Sequence, residues 1–278
     1  MKVLIVSNDR EYVRKAKEIY EDADVALSVE SAEIMTNKKK YDFIVGDLVK
    51  DSFNGYAVKE LNGEKRKEKI LPLKQEVIAV YSFKGGVGKT TLVKTLLESL
   101  DKDIKVLVID LNFRDGGSDL SFMLDLPVLP HIGMWLKERT KESFFGNLIE
   151  YSSNVSVLQA PPKVSLVKDI KEGDVDAIAK FARSKFDVII FDLPDKFNEI
   201  VKAALDNTTK IIVLSKGTEG EFARMKEFPY EFLTVFVKPA RDFKKYAKEL
   251  NLQYKVVESI NKEIDKIWSF VFLSENKF

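Results

Sequence analysis

The sequence predicts an α/β protein in two parts: a small α/β domain over residues 1–70, and over 71–278 a larger domain whose mostly parallel sheet is flanked by helices. Three observations carry this reading. Short apolar runs ending in polar or acidic residues alternate with stretches of helical periodicity along the chain. The charge run Glu64-Lys65-Arg66-Lys67-Glu68-Lys69, followed by Pro72, interrupts that alternation. It mixes both charge signs and reads as a solvated linker. Beyond it, one glycine-rich segment stands between a strand pattern and a helix pattern.

In the first part, residues 3–7 read as a buried parallel strand closed by Asn8 and Asp9. Tyr12, Ala16, Ile19 and Tyr20 follow at helix spacing. Residues 25–29 read as a second strand and 43–46 as a third, with no further strand expected before the linker. In the second part, strands are expected at 77–81, 106–110, 155–158, 188–192, 211–214, 233–237 and 254–257. Helical stretches are expected at 91–100 and near 173–185, 197–206, 220–227 and 240–250. No internal repeat interrupts this order.

Composition excludes several chemistries. At 278 residues with 45% hydrophobic and 32% charged residues, the chain has the balance of a soluble globular protein. A net charge of +1 builds in no global attraction to nucleic acid or anionic membrane. With no cysteine, disulfide frameworks, Fe–S clusters, cysteine-ligated zinc and thiol catalysis are excluded. A single histidine, His131, argues against a histidine-rich metal site or a histidine-based triad. The first apolar run is too short for a signal peptide, and no run approaches the ~18 apolar residues of a membrane span. A cytoplasmic location is the expectation.

The segment Ser82-Phe83-Lys84-Gly85-Gly86-Val87-Gly88-Lys89-Thr90-Thr91 is the strongest chemical signal. Three glycines let the backbone curl so that successive N–H groups point at phosphate oxygens, and the helix that follows adds the positive end of its dipole. In such a phosphate loop Lys89 serves the β- and γ-phosphates and the Thr90 hydroxyl ligates Mg²⁺. The usual pattern wants glycine where Phe83 stands, and an extra lysine, Lys84, precedes Gly85.

The run Lys-Gly-Gly-Val-Gly-Lys-Thr-Thr resembles the deviant Walker A motif of the MinD/ParA family of ATPases. The resemblance implies a P-loop ATPase fold, ATP and Mg²⁺ as cofactors, and nucleotide contacts from Lys84, Gly85, Gly86, Val87, Gly88, Lys89, Thr90 and Thr91. It implies that Lys84 reaches the ATP of a second copy, so that ATP binding drives a face-to-face homodimer. The apolar strand ending in Asp192 is a Walker B arrangement, a carboxylate beside the phosphate loop that can hold an Mg²⁺-bound water. Asp110 matches the first acidic residue of the family's first switch, near Mg²⁺, so Thr90, Asp110 and Asp192 form the expected metal set. Relatives carry a second Asp two positions on, which orients the attacking water; here it is Asn112. Asn can bond a water but cannot take its proton, so hydrolysis is expected to be slow, with Lys84, Lys89, Asp110 and Asn112 as its residues. Asp115 and Asp119 stand as substitutes. In the second switch, Asp195-Lys196 replaces the Pro-Gly of many relatives. The GTPase base signature is missing, so ATP is preferred, and the adenine stretch includes Lys238 and Pro239.

Within that group the resemblance is strongest to the CpaE/TadZ branch, which localises pilus-assembly machinery. Leu158-Gln159-Ala160-Pro161-Pro162, the Asp-Leu-Pro switch and a receiver-like front domain carry it. The front domain looks like a truncated, flavodoxin-like receiver. Asp47 falls at the phosphoacceptor position, but the acidic pair after the first strand is Ser7-Asn8, so a docking or dimerisation role is favoured, with the open sheet edge covered by the ATPase domain. The resemblance implies a switch that positions a pilus or secretion assembly through a protein partner. The alternatives are a non-hydrolysing nucleotide-binding adaptor and a ParA-type DNA partition ATPase. Lys38-Lys39-Lys40 and Arg241–Lys245 are read as solvated surface rather than DNA contacts. For the aromatic stretch from Ile267 to Phe278, packing is favoured over peripheral membrane or partner contact.

Overall fold

The N-terminal unit carries a sheet of five strands and the C-terminal unit one of eight. The computed structural model describes residues 2–49, 52–59 and 75–273, and the chain divides into the units Met1–Glu68 and Lys69–Phe278.

In the first unit, β1 (Val3–Val6) lies between β2 (Asp24–Ala26) and β3 (Phe43–Gly46). It leads through α1 (Arg10–Ile19) to β2 and through α2 (Val29–Lys38) to β3. β1 pairs in parallel with both β2 and β3. Alternate strand residues feed opposite faces. Val3, Ile5, Phe43 and Val45 pack with Ala16 of α1, while Leu4, Val6 and Ile44 pack with Ala32 of α2. The Asp9 carboxylate accepts from the amides of Glu11 and Tyr12 to start α1.

Two expectations for this unit are corrected. The second strand ends at Ala26: Ser28 forms a capping box with Ser31, so Val29 opens a helix. The sheet also does not stop at three strands. β4 (Ser52–Phe53) and β5 (Tyr56–Lys59) form a hairpin whose turn, Asn54-Gly55, has positive φ at both residues (48° and 81°). β5 then pairs in parallel with β3, giving the order β2-β1-β3-β5-β4. The edge expected at β3 is therefore continued within the unit.

The second unit begins with β6 (Glu76–Tyr81), which leads into α3 (Lys89–Ser99) and β7 (Val106–Asp110). Next come α4 (Asp119–Met123), α5 (Ile132–Trp135), α6 (Lys141–Gly146), the short β8 (Ile149–Glu150) and β9 (Val155–Leu158). The four elements between β7 and β9 lack a continuous apolar period, and the sequence reading assigned none of them. A 3-10 turn (Val164–Val167) and α7 (Glu172–Arg183) lead to β10 (Val188–Asp192) and α8 (Glu199–Asp206). The chain ends with β11 (Lys210–Ser215), α9 (Glu219–Glu227), β12 (Leu233–Val237), α10 (Phe243–Glu249), β13 (Tyr254–Val257) and α11 (Ile264–Leu273).

The strand order is β13-β12-β11-β6-β10-β7-β9-β8, parallel except at β8. Buried on both faces, the central strands are continuously apolar, as parallel strands between helical layers must be. Val77, Ala79 and Tyr81 pack with Ile178 of α7, Val201 of α8 and Phe222 of α9. Ile78 and Val80 pack with Leu92 and Leu96 of α3 and with Ile267 and Trp268 of α11. The C-terminal aromatic stretch is thus a core helix as far as it is described. Trp268 is 1% exposed, and its Nε1 donates to Ser99 Oγ on α3 at 2.6 Å. Residues 274–278 of that stretch lie outside the described residues.

A buried ion pair ties the start of this unit to its end. Lys210 Nζ lies 3.5 Å from Glu76 Oε1 and donates to the Val271 carbonyl at 2.7 Å. Thr209 Oγ1 donates to the other Glu76 oxygen at 2.6 Å. Both charges keep hydrogen-bond partners, which a buried pair requires. Among the described residues no helix is long and apolar enough to cross a membrane.

Candidate nucleotide site

The site lies where parallel α/β sheets place ligands, at the carboxyl ends of the central strands. β6 stops at Tyr81, and residues 82–88 curl before α3 begins. Gly86 and Gly88 hold φ of 73° and 105°, which side-chain-bearing residues rarely adopt. Gly88 occupies the N-cap of α3 and brings no side-chain cap. The first-turn amides are therefore left to an outside acceptor, and the helix dipole favours an anion there.

Lys89 folds back across the loop. Its amine donates to Ser82 Oγ at 3.0 Å, and Ser82 Oγ donates to the Lys84 carbonyl at 2.8 Å. The side chain is buried; burial pushes its pKa down, and the carboxylates of Asp192 and Asp195 oppose that push. Val87 is buried, while Lys84, Gly85 and Gly86 are exposed. Among the described residues no hydrogen bond or ion pair holds the Lys84 amine.

Opposite the loop stand two buried carboxylates. Asp110 ends β7 and Asp192 ends β10, and they are paired in register on adjacent strands. Thr90 Oγ1 donates to Asp192 Oδ2 at 3.1 Å, and the Asn112 amide donates to Asp110 Oδ1 at 3.0 Å. Among the described residues the remaining oxygens, Asp110 Oδ2 and Asp192 Oδ1, are buried with no hydrogen-bond partner. Desolvation raises the pKa of both; the neighbouring Asp110 charge raises that of Asp192 further, while Ser118 and nearby amides draw Asp110 back. Two orphaned carboxylate oxygens beside a hydroxyl match the donor chemistry of a hard divalent cation. Among the described residues no cluster of three or more acidic or histidine side chains could cage a metal without help. Phosphate oxygens would have to complete the shell, as Mg²⁺ sites usually require.

The other expected residues are placed as follows. Asn112 is buried beside Asp110. Asp115 is not a free substitute, because its Oδ1 accepts from the Val164 amide at 2.9 Å and anchors the 3-10 turn. Asp119 is held by Arg114 at 3.3 Å at the start of α4. Thr91 is partly buried, its carbonyl accepting from Thr95 Oγ1. Lys238 and Pro239 lie at the carboxyl end of β12, with Lys238 at φ 47° and its amide donating to the Val257 carbonyl.

Ile260 and Asn261 were missed from the sequence, and Phe83 and Asp195, noted there as departures from the family pattern, make contacts that the sequence does not show. Ile260, in the loop after β13, packs on the phosphate loop: a Cβ at Gly88 would meet its Cδ1 at 2.9 Å. The next residue, Asn261, accepts from Thr95 Oγ1 of α3 at 2.9 Å. Phe83, in place of glycine, pins the loop into an aromatic cluster with Tyr81 and Phe228, at centroid distances of 5.2 and 5.1 Å. Finally, the Asp195 carboxylate lies against Gly85.

A phosphate loop on a central strand, a helix N-terminus without a side-chain cap and two buried carboxylates define a P-loop nucleotide-binding protein. The family profile AAA_31, described as an AAA domain, matches residues 75–223. The match covers more than half of the chain, which therefore belongs to this family and carries a P-loop ATPase domain of the ParA/MinD type. Among solved structures, the chain is similar in fold to a plasmid partition protein of Borrelia burgdorferi, with a TM-score of 0.58 and 19% identity, covering 72% of this chain and 97% of that one. It is similar to a ParA family ATPase of Chlorobium tepidum TLS (TM-score 0.54, 17% identity, 74% and 93% covered). A chain of the MinC:MinD cell division protein complex of Aquifex aeolicus gives a TM-score of 0.52 at 19% identity, with 71% and 87% covered. No curated protein matches this chain.

Proposed function

We propose that the protein is a cytoplasmic ATP-driven switch: it binds ATP with Mg²⁺, hydrolyses it slowly, and pairs with a second copy while the triphosphate is bound. The observation that carries this reading is the pair of orphaned oxygens on Asp110 and Asp192 beside the Thr90 hydroxyl and the open phosphate loop. The loop amides and Lys89 bind the phosphates, and Lys89 exchanges its bond to Ser82 for phosphate oxygens. Thr90, Asp110 and Asp192 would hold Mg²⁺, which when bound neutralises charge on the phosphates and orders them for in-line attack. The exposed Lys84 amine is available to a second copy's nucleotide. Its cation there supports charge neutralisation at the leaving diphosphate.

The output we infer is the positioning of a pilus or secretion assembly, in the manner of the CpaE/TadZ branch, with the receiver-like unit (1–70) as docking module and 71–278 as motor. The exposed Asp47 and the use of Asp9 as a helix cap favour docking over phosphoacceptance. The test is the size of the protein in solution with ADP and with ATP, for the wild type and Lys84→Ala. ATP should double the mass of the wild type alone; an unchanged mass with ATP overturns the switch.

A second reading, a nucleotide-holding adaptor that scarcely hydrolyses, is favoured by Asn112. Single-turnover hydrolysis separates the two. DNA partition draws on likeness in fold to plasmid partition proteins, but the net charge of +1 argues against it. It predicts ATP-dependent, salt-sensitive binding to nonspecific DNA.

A further inference from the structure

We propose that Asp195, in the loop after β10, positions the attacking water at the γ-phosphate. The proposal rests on the ATPase reading above and adds the proton acceptance that Asn112 cannot supply.

The geometry starts from Gly85. A Cβ built there would lie 3.3 Å from Asp195 Oδ2 and 4.0 Å from its Cγ. The chain reaches this place because the Leu193 amide donates to the Val80 carbonyl at 3.2 Å, which lays the end of β10 alongside the end of β6. Pro194 then restricts the backbone just before Asp195. Lys89 orients the site. A phosphate-loop lysine serves the β- and γ-phosphates, and here its amine already sits at the 82–84 arm of the loop, on Ser82 Oγ. Thr90 and Asp192 mark the metal side. Gly85 follows directly on the lysine's end of the loop, so Asp195 borders the terminal phosphate.

Its bonding state fits this role. The side chain is partly buried, and among the described residues no hydrogen bond holds its carboxylate. A carboxylate imitating phosphate would accept from the loop amides; this one stands beside the loop, with its oxygens free for a water. Asn112, buried near Asp110, can bond a water but cannot accept its proton. Asp195 supplies the missing acceptor.

In the step, a lone pair of the water oxygen forms the new bond to the γ-phosphorus. The bond from phosphorus to the β,γ-bridging oxygen breaks, and its electron pair leaves with ADP. The proton lost by the water goes to Asp195 and from there to solvent. Loose phosphoryl-transfer transition states ask mainly for a positioned water, so an ordinary carboxylate suffices. The nearby Lys89 offsets its repulsion of phosphate.

The test uses the full chain and the isosteric Asp195→Asn. Two quantities are measured with Mg²⁺: the affinity for the β,γ-imido analogue of ATP, and the single-turnover rate with ATP. The expected result is an affinity within about threefold of wild type and a rate lower by roughly 100-fold. An unchanged rate overturns the proposal. So does tighter analogue binding with an unchanged rate, which would make Asp195 a mere competitor of phosphate. A wild type that binds the analogue but never turns over also overturns it while leaving the nucleotide site intact. A wild type that does not bind the analogue defeats the ATPase reading itself.

Discussion

Asp110 and Asp192 face each other in register at the ends of neighbouring parallel strands, each with one buried oxygen that no described residue satisfies. Two carboxylates so placed destabilise the empty protein, and under the proposed function a cation arriving with its phosphates would relieve them. Preorganised charge of this kind is what phosphoryl transfer needs most.

The pair sets a pH dependence. Both carboxyls have folded-state pKa values raised above the ordinary value near 4. A raised carboxyl favours the folded state while protonated, so that stability is present in acid and is lost as pH rises from about 4 through the folded-state values. Asp192→Asn removes one charge and relieves the other. The nucleotide-free variant should therefore melt higher than wild type at pH 8, with a smaller difference at pH 5. Thermal melts at the two pH values check this, and Mg²⁺ with ATP should raise the melting temperature of the wild type far more than that of the variant.

Lys89→Met should leave the fold intact and weaken ATP binding by roughly 100-fold, the value of a lost charge-assisted hydrogen bond to phosphate. Titration with a fluorescent ATP analogue reads the loss. Circular dichroism should show no change, because among the described residues the only hydrogen bond that the Lys89 amine gives up is the one to Ser82.

Gly86→Ala and Gly88→Ala separate strain from contact. Each puts a side chain at positive φ, costing about 1–2 kcal/mol. A Cβ at Gly86 meets nothing within 4 Å, whereas one at Gly88 meets Ile260 Cδ1 at 2.9 Å. Denaturant unfolding should find Gly88→Ala the less stable of the two. Ile260→Ala should bring the Gly88 variant closer to the Gly86 one relative to their backgrounds.

Trp268→Ala should cost about 3–5 kcal/mol, as for any large ring removed from a packed core. Ser99→Ala, which removes the acceptor of the Trp268 Nε1 bond and the local donation of Ser99 Oγ to the Leu96 carbonyl, should cost about 1 kcal/mol. Urea unfolding measures both. If the helix were a surface attachment, neither change would exceed about 0.5 kcal/mol.

Where one face or one motif decides, the sequence was legible. The continuous apolar runs of β6, β7 and β10 announce strands buried on both sides, and the loop from Ser82 to Thr91 announces its ligand by glycine and lysine spacing alone. The carboxylates at Asp110 and Asp192 followed, because the end of such a strand is where a phosphate site draws its acids. The hairpin of β4 and β5 was readable in principle: Asn54-Gly55 is its turn, and Tyr56 and Val58 alternate inward. Its strands are too short for the run-length signal that marked the others. The helix of Trp268 was obscured because it is apolar on most faces, which hides its period. Ile260 had no signal at all, and Asp195 showed only as a departure from the second-switch pattern. Their roles come from long-range contacts with Gly88 and Gly85, which no local pattern encodes.

The lean of α11 and the Ile260 loop on α3 has a consequence for biosynthesis. The phosphate cradle is translated early, yet the surfaces that hold its helix, Asn261 against Thr95 and Trp268 against Ser99, are the last described parts of the chain to leave the ribosome. A nascent polypeptide stalled before them would present the glycine loop on an unsupported helix and would grip nucleotide poorly. Under the proposed function, capture on immobilised ATP would report translation past Trp268, and copies terminated before Asn261 should pass through unretained.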